Sequence, residues 1–178
     1  MSQSIDPAFG HWLAGFIDGE GSFTMQSFHG GVDPRPRFSI EVRADDTPII
    51  EEIHRRTGIG KLSRRHRKMA TIKDRPQIIW TVNRNADLRR LVEILDAYPL
   101  RAKKKRDYEI WKQAVPLLER RPGRPNARDQ TASIRLNRRF REIQQQLIAV
   151  RKYREPDEPP PPPPVVNDGY EEVPLFEM

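Results

Sequence analysis

The chain has 178 residues, no cysteine and a formal charge of +7, a length that suits one domain with accessories. Without Cys there is neither a disulfide framework nor a thiolate zinc site. With no long apolar run and no secretory signal ahead of the first helix, the expectation is a soluble intracellular protein of the cytoplasm, nucleoid or an organelle matrix. The charge is unevenly placed. Residues 155–178 hold seven acids and no Lys or Arg, so residues 1–154 carry 32 bases against 18 acids, a net +14. A strongly basic body with an acidic tail is the electrostatic footprint of nucleic-acid binding.

After a leader over 1–8, the pattern predicts a helix over about 9–18, with bulk from Trp12, Leu13, Phe16 and Ile17 and a bare strip at Ala14 and Gly15. Small residues on a helix face let a second backbone approach closely. Gly19 and Gly21 are expected to turn the chain into a strand over 22–28, and 29–34 reads as a loop. Phe38, Ile40 and Val42 alternate with Ser39, Glu41 and Arg43, the signature of a half-buried strand. Thr47 as N-cap and Pro48 in the first turn start a helix with Ile49, Ile50 and Ile53 inside, ended by Gly58. A basic strand is expected over 60–72, a turn at 74–76 and a fourth strand over 77–83. Helices follow over about 86–97 (Leu88, Leu91, Val92, Leu95) and 101–114 (Tyr108, Ile110, Trp111). The order predicts an α+β fold, helices backing one face of a small antiparallel sheet.

The stretch 13–21, Leu13-Ala14-Gly15-Phe16-Ile17-Asp18-Gly19-Glu20-Gly21, delivers a carboxylate at the end of a packed helix. Beside a partner helix with its own copy, such a carboxylate is a natural divalent-metal site. In order, spacing and residue class LAGFIDGEG resembles the LAGLIDADG signature of homing endonucleases. The resemblance covers about residues 9–115 and implies an αββαββα core whose antiparallel sheet forms a saddle over double-stranded DNA. It further implies Mg²⁺-dependent cleavage of both strands at a long pseudo-palindromic site, with 3′ overhangs and Mn²⁺ able to substitute, mobilising an intron or intein. One motif copy implies a homodimer through the helix over 12–20. A non-cleaving nucleic-acid-binding protein on the same fold, a group I intron RNA maturase or a transcriptional regulator, is the alternative, with intron RNA as a further partner.

Carried over residue by residue, the resemblance implies Glu20 and Gly19 as metal-binding positions, with Glu20 where most members have Asp. Asp18 is read as bonding backbone amides. A polar residue ending the second strand would organise solvent around the metal. Asp45 or Asp46 stands there, Asp45 favoured by spacing, although either also suits the N-terminus of the following helix. A lysine that activates solvent is expected in the run 100–105, with Lys103 chosen over Lys104. For DNA contacts the candidates are Gln26, Arg37, Arg43, Lys61, Arg65, Arg67, Lys68, Arg75, Asn83 and Lys104, since Arg and Lys on a two-stranded ribbon can pair with guanine or phosphate. The four histidines lack metal-ligand spacing.

The remainder divides from a core of 1–116 into a basic linker and helix (117–154) and a Pro-rich acidic tail (155–178). Leu136, Phe140, Ile143, Leu147 and Val150 recur at a seam spacing, over too few heptads for a free coiled coil. That helix is expected to pack back on the body. Six consecutive prolines, Pro159 to Pro164, mark the tail as an extended spacer without a core. A docking peptide, an autoinhibitory strip and an inert tail all remain open for it, and its partner is unknown.

Overall fold

The computed structural model describes residues 5–28, 33–65, 75–120 and 130–151. Helix α1 (Pro7–Glu20) starts where Asp6 Oδ1 accepts from the Phe9 amide at 2.9 Å, with Pro7 in the first turn. It buries Phe9, Leu13, Ala14 and Ile17. Contrary to expectation, the helix runs through Gly19 and Glu20 without a glycine turn. Gly21 is extended (φ −67°, ψ 148°), and its amide donates to the Ile17 carbonyl. Its lack of a side chain matters for space instead: a Cβ there would meet the Ile17 carbonyl oxygen at 2.7 Å.

Strands β1 (Gly21–Phe28) and β2 (Asp33–Arg43) pair antiparallel, Thr24 opposite Arg37 and Ser22 opposite Ser39. A short 3-10 turn, Ala44–Asp46, leads into α2 (Thr47–Thr57). The N-cap is Asp46 rather than Thr47, whose hydroxyl donates back to the Ala44 carbonyl at 2.6 Å. Gly58 (φ +68°) and Gly60 (φ +78°) take left-handed conformations that favour glycine. The Trp80 indole N–H donates to the Ile59 carbonyl between them at 2.9 Å.

Strand β3 (Lys61–Arg65) and strand β4 (Gln77–Val82) complete an antiparallel sheet of order β1-β2-β4-β3. The strand expected over 60–72 is described only as far as Arg65. Helix α3 (Asn85–Ala97) follows. Helix α4 (Lys104–Trp111) is shorter than the segment expected over 101–114, because the amides of Arg101 and Ala102 are held by Asp18, and 3-10 turns Lys112–Ala114 and Pro116–Arg120 continue it.

The core lies between the inner sheet face and the helices, with Phe23, Phe38 and Trp80 packed against Tyr108 and Trp111. The Tyr108 hydroxyl donates to Asp96 at 2.7 Å; burial, reinforced by that carboxylate, holds the phenol well above its ordinary pKa. Helix α5 (Gln130–Arg151) packs back on the body as expected, and Leu136, Phe140, Ile143 and Leu147 are buried in the same core as Phe9 and Trp111. At ~1.5–3 kcal/mol for each fully buried large apolar side chain, this seam holds α5 firmly. The Gln144 amide and the Arg151 guanidinium donate to the Met25 and Phe23 carbonyls, so α5 supplies donors to the edge strand β1. No helix among the described residues is long and apolar enough to cross a membrane.

Candidate functional site

A helix that ends in a carboxylate has an electrostatic problem, because its C-terminus already carries partial negative charge. Glu20, exposed at the end of α1, is in that position. The compensation comes from α4: the Lys104 ammonium donates to the Gly19 carbonyl at 2.8 Å and to the Gly21 carbonyl. Partial burial lowers the Lys104 pKa below the ordinary lysine value and Lys103 adds to that, against the opposing pull of Glu20, Asp107 and Asp18. Lys103 is exposed and lines a shallow groove with Ala102, Lys105, Arg106 and Glu109. The lysine brought to the acidic end of α1 is therefore Lys104, one position from the one chosen on the sequence.

Asp18 holds the two segments together. Its Oδ2 accepts from the Arg101 amide at 2.7 Å and the Ala102 amide at 3.0 Å, as expected for an amide-binding rather than a metal-binding residue. Its Oδ1 is buried without a hydrogen-bond partner. The Glu20 carboxylate is a hard oxygen donor and fits a divalent cation of the Mg²⁺ type, while the Gly19 carbonyl is engaged by Lys104. No group of three or more His, Asp or Glu that could hold a metal occurs among the described residues. At this end of α1 Glu20 is the one carboxylate without a hydrogen-bond or ion-pair partner among the described residues, and most of a six-oxygen shell would come from water, phosphate or a second chain.

Asp45 is committed elsewhere. The Arg43 Nε donates to its Oδ1 at 3.0 Å and a terminal guanidinium nitrogen binds Oδ2. Hydrogen bonding to Arg43 lowers the Asp45 pKa, and the same bond raises that of Arg43. Neither residue contacts Glu20 among the described contacts. Asp46 is exposed at the N-cap of α2.

The outer sheet face is polar, and its cross-strand rows follow from the register. Ser22, Ser39, Thr81 and Lys61 form one row, and Arg43, Gln77 and Arg65 another. Arg37 sits at the centre of this face. Its guanidinium donates to Gln26 Oε1 at 3.3 Å and Thr81 Oγ1 at 3.2 Å, and its Nε is buried without a partner. Gln26, Arg37 and Asn83 line one depression together with Arg35, which the sequence reasoning missed although it shares the two-residue alternation of Arg37. Arg65 pairs with Glu41 and donates to Gln77 at 3.1 Å. Lys61 is exposed on the outer face and Arg75 just ahead of β4. Arg67 and Lys68 lie outside the described residues.

On the outer side of α1 the bare strip meets the expectation at Gly15 but not at Ala14. Ala14 is buried within the chain at 4% exposure. The open positions are Gly15 and Gly19, where an added Cβ would meet nothing within 4 Å, flanked by Trp12 and Phe16 stacked at 5.4 Å. Trp12 is 39% exposed, one of three large apolar side chains so exposed among the described residues.

Comparison with known proteins agrees with the fold. The family model described as LAGLIDADG endonuclease matches residues 13–115. The probable intron-encoded endonuclease Cox1-I1b of Schizosaccharomyces pombe is 30% identical over 115 residues, covering 63% of this chain and 28% of that protein. An uncharacterized 50.9 kDa protein in ND4 intron 1 of Podospora anserina is 27% identical over 124 residues, covering 66% and 25%. The chain thus spans about a quarter of the length of these curated relatives. Among solved structures, the LAGLIDADG meganuclease I-AabMI bound to uncleaved DNA is 27% identical with a TM-score of 0.52, over 62% of this chain and 36% of that one. The archaeal intron-encoded homing endonuclease I-Vdi141I complexed with DNA shares the fold at 22% identity and a TM-score of 0.60, over 85% and 91%. With the motif helix, the αββαββα order and a family match over more than half its length, this chain belongs to the LAGLIDADG endonuclease family.

Proposed function

We propose that this chain is a site-specific, divalent-metal-dependent DNA endonuclease that works as a homodimer and cuts both strands of a long, pseudo-palindromic site. The observation that carries the reading is the end of α1, where an exposed Glu20 carboxylate and a bare Gly15–Gly19 strip on one helix meet the Lys104 ammonium reaching over from α4. Two α1 helices packed through that strip place two Glu20 carboxylates near a two-fold axis, one for each DNA strand. A bound Mg²⁺ would lower the pKa of an attacking water and neutralise charge on the scissile phosphate. Glu20 would hold that ion. Lys104, already depressed in pKa, orients or deprotonates the attacking water, taking the role expected of Lys103. Asp18 fixes the Arg101–Lys104 segment against α1, so the lysine stays over the site.

The outer sheet face binds the duplex. Phosphate neutralisation by the basic body supplies most of the affinity, and Arg37, Gln26 and Asn83 are placed to contact base edges. The test challenges the protein with a randomised duplex library in Mg²⁺ beside Glu20→Gln and sequences bound and cut molecules. Clustered cuts in a partly palindromic site, lost in the variant while binding persists, are expected. Binding without cleavage in either protein would instead support a maturase or regulator on this fold.

A further inference from the structure

We infer that the acidic stretch 155–178 docks in cis on a basic ridge formed by Arg101, Lys103, Lys105 and Arg106, beside the Glu20 end of α1, and competes there with the nucleic-acid backbone. The ridge is left with surplus positive charge by the way its neighbours are used. Lys104 turns inward to the Gly19 and Gly21 carbonyls, while Arg101, Lys103, Lys105 and Arg106 are exposed. Apart from Glu20, the carboxylates nearby are already engaged: Asp18 by the Arg101 and Ala102 amides, Asp107 by Arg151 at 3.0 Å, and Glu109 by Lys112 at 2.9 Å. Arg101, Lys103 and Lys105 carry no ion pair among the described residues.

The tether decides where the acids go. Helix α5 ends on this ridge, with the Arg106 guanidinium donating to the Val150 carbonyl and Arg151 bound to both Asp107 and the Phe23 carbonyl. Glu155 follows Arg151 by four positions and Glu158 by seven. At no more than ~3.6 Å per residue those acids lie within ~14 Å and ~25 Å of the end of α5. Glu155, Asp157 and Glu158 can therefore reach Arg106, at an effective concentration in the ~mM range for so short a connection. Asp168, Glu171, Glu172 and Glu177 follow beyond the proline run and add to the same negative segment. Duplex DNA displaces such a segment through its denser charge, so the device weakens non-specific binding more than specific binding and fades as salt rises.

The competition rests on the endonuclease reading, but the docking does not, and the two are separable. The full chain is compared with a full-length variant carrying Glu155→Gln, Asp157→Asn and Glu158→Gln, and with a chain ending at Arg154. Each is treated with a limiting amine-acetylating reagent and read by mass spectrometry at Lys103, Lys105 and, for reference, Lys61. Lys103 and Lys105 are expected to react several-fold more slowly in the full chain than in either variant, Lys61 equally in all three, and the contrast to vanish at high salt. Non-specific duplex binding at low salt is expected to tighten roughly tenfold in both variants. Equal rates at Lys103 and Lys105 in all three proteins would overturn the docking. So would uniform slowing that includes Lys61, which is what long-range screening alone produces. Protection in a protein that does not cleave DNA would keep the docking and remove the endonuclease reading.

Discussion

The proposed assignment of Lys104 rather than Lys103 can be tested through both stability and rate. Replacing Lys104 by Met keeps the length and apolar stem but removes two hydrogen bonds from a charged donor to the Gly19 and Gly21 carbonyls. Charge-assisted bonds are worth ~1.5–3 kcal/mol and a favourable charge at a helix C-terminus ~0.3–1 kcal/mol. Partial solvent exposure and relief of the desolvation cost reduce the net loss to about 1–2 kcal/mol. For a chain of this size that lowers Tm by about 2–8 °C. If Lys104 activates solvent as proposed, its loss should slow single-turnover cleavage ~10²–10⁴-fold. Lys104→Arg separates the two effects, since a guanidinium can still cap the helix but cannot give up a proton: stability should recover and cleavage should not. Lys103→Met, at an exposed position, should stay within ~0.5 kcal/mol of the parent and lose less than about tenfold in rate. Differential scanning calorimetry and rapid-quench cleavage give both numbers. A large rate loss in Lys103→Met with little in Lys104→Met would refute the assignment.

Three further outcomes are expected. Gly21→Ala puts a Cβ 2.7 Å from the Ile17 carbonyl and 2.8 Å from its side chain, and should cost about 1–3 kcal/mol in chemical denaturation even though its backbone angles suit alanine; an unchanged midpoint would mean the strand start has slack. Because burial holds the Lys104 pKa below 10.5, the charged form is the one penalised by folding. The cost is in full force below the folded-state pKa and disappears as pH rises to the unfolded value. Stability should therefore gain on the alkaline side in the parent relative to Lys104→Arg, and the cleavage rate should rise below the ordinary lysine range; matching pH profiles for the two proteins would exclude this. Gly15→Ala should stabilise the isolated protomer by about 0.5–1 kcal/mol and weaken self-association in sedimentation velocity, while tighter association would remove the strip from the dimer interface.

Much of the fold was legible because its signals are local. The two-residue alternation of Phe38, Ile40 and Val42 and the seam of Leu136, Phe140, Ile143 and Leu147 both survive as buried faces, since periodicity is set by backbone geometry. The element ends were less legible where a distant group decides them. Helix α4 starts at Lys104 because Asp18, over 80 positions away, takes the amides just before it. Glu20 stood out because its motif is continuous in sequence. The choice between Lys103 and Lys104 had no such signal: adjacent residues differ by about 100° around a helix, and only the packing of α4 against α1 says which of them turns inward. Nor does its spacing in the sequence show that the Asp45 carboxylate pairs with Arg43, a neighbour two positions away.

The glycines of α1 carry the last step. In the sequence Gly10, Gly15 and Gly19 are alike, each costing about 1 kcal/mol of helix propensity relative to alanine. The structure separates them. At Gly10 a Cβ would fall 2.4 Å from the Tyr98 ring, whose hydroxyl donates to the Ile5 carbonyl at 3.0 Å, so that glycine is accounted for inside the chain. At Gly15 and Gly19 a Cβ would meet nothing within 4 Å among the described residues. Within one protomer those two positions lose stability for no gain in packing, and they flank a stacked Trp12–Phe16 pair that one chain leaves partly exposed. A helix that gives up propensity at two sites four residues apart, on an open apolar face, is shaped for contact with another backbone at close range. Because the same helix ends in Glu20, a second copy packed on the strip, as proposed, would also set where its own carboxylate stands, and on that reading self-association and cleavage should fail together when the strip is filled.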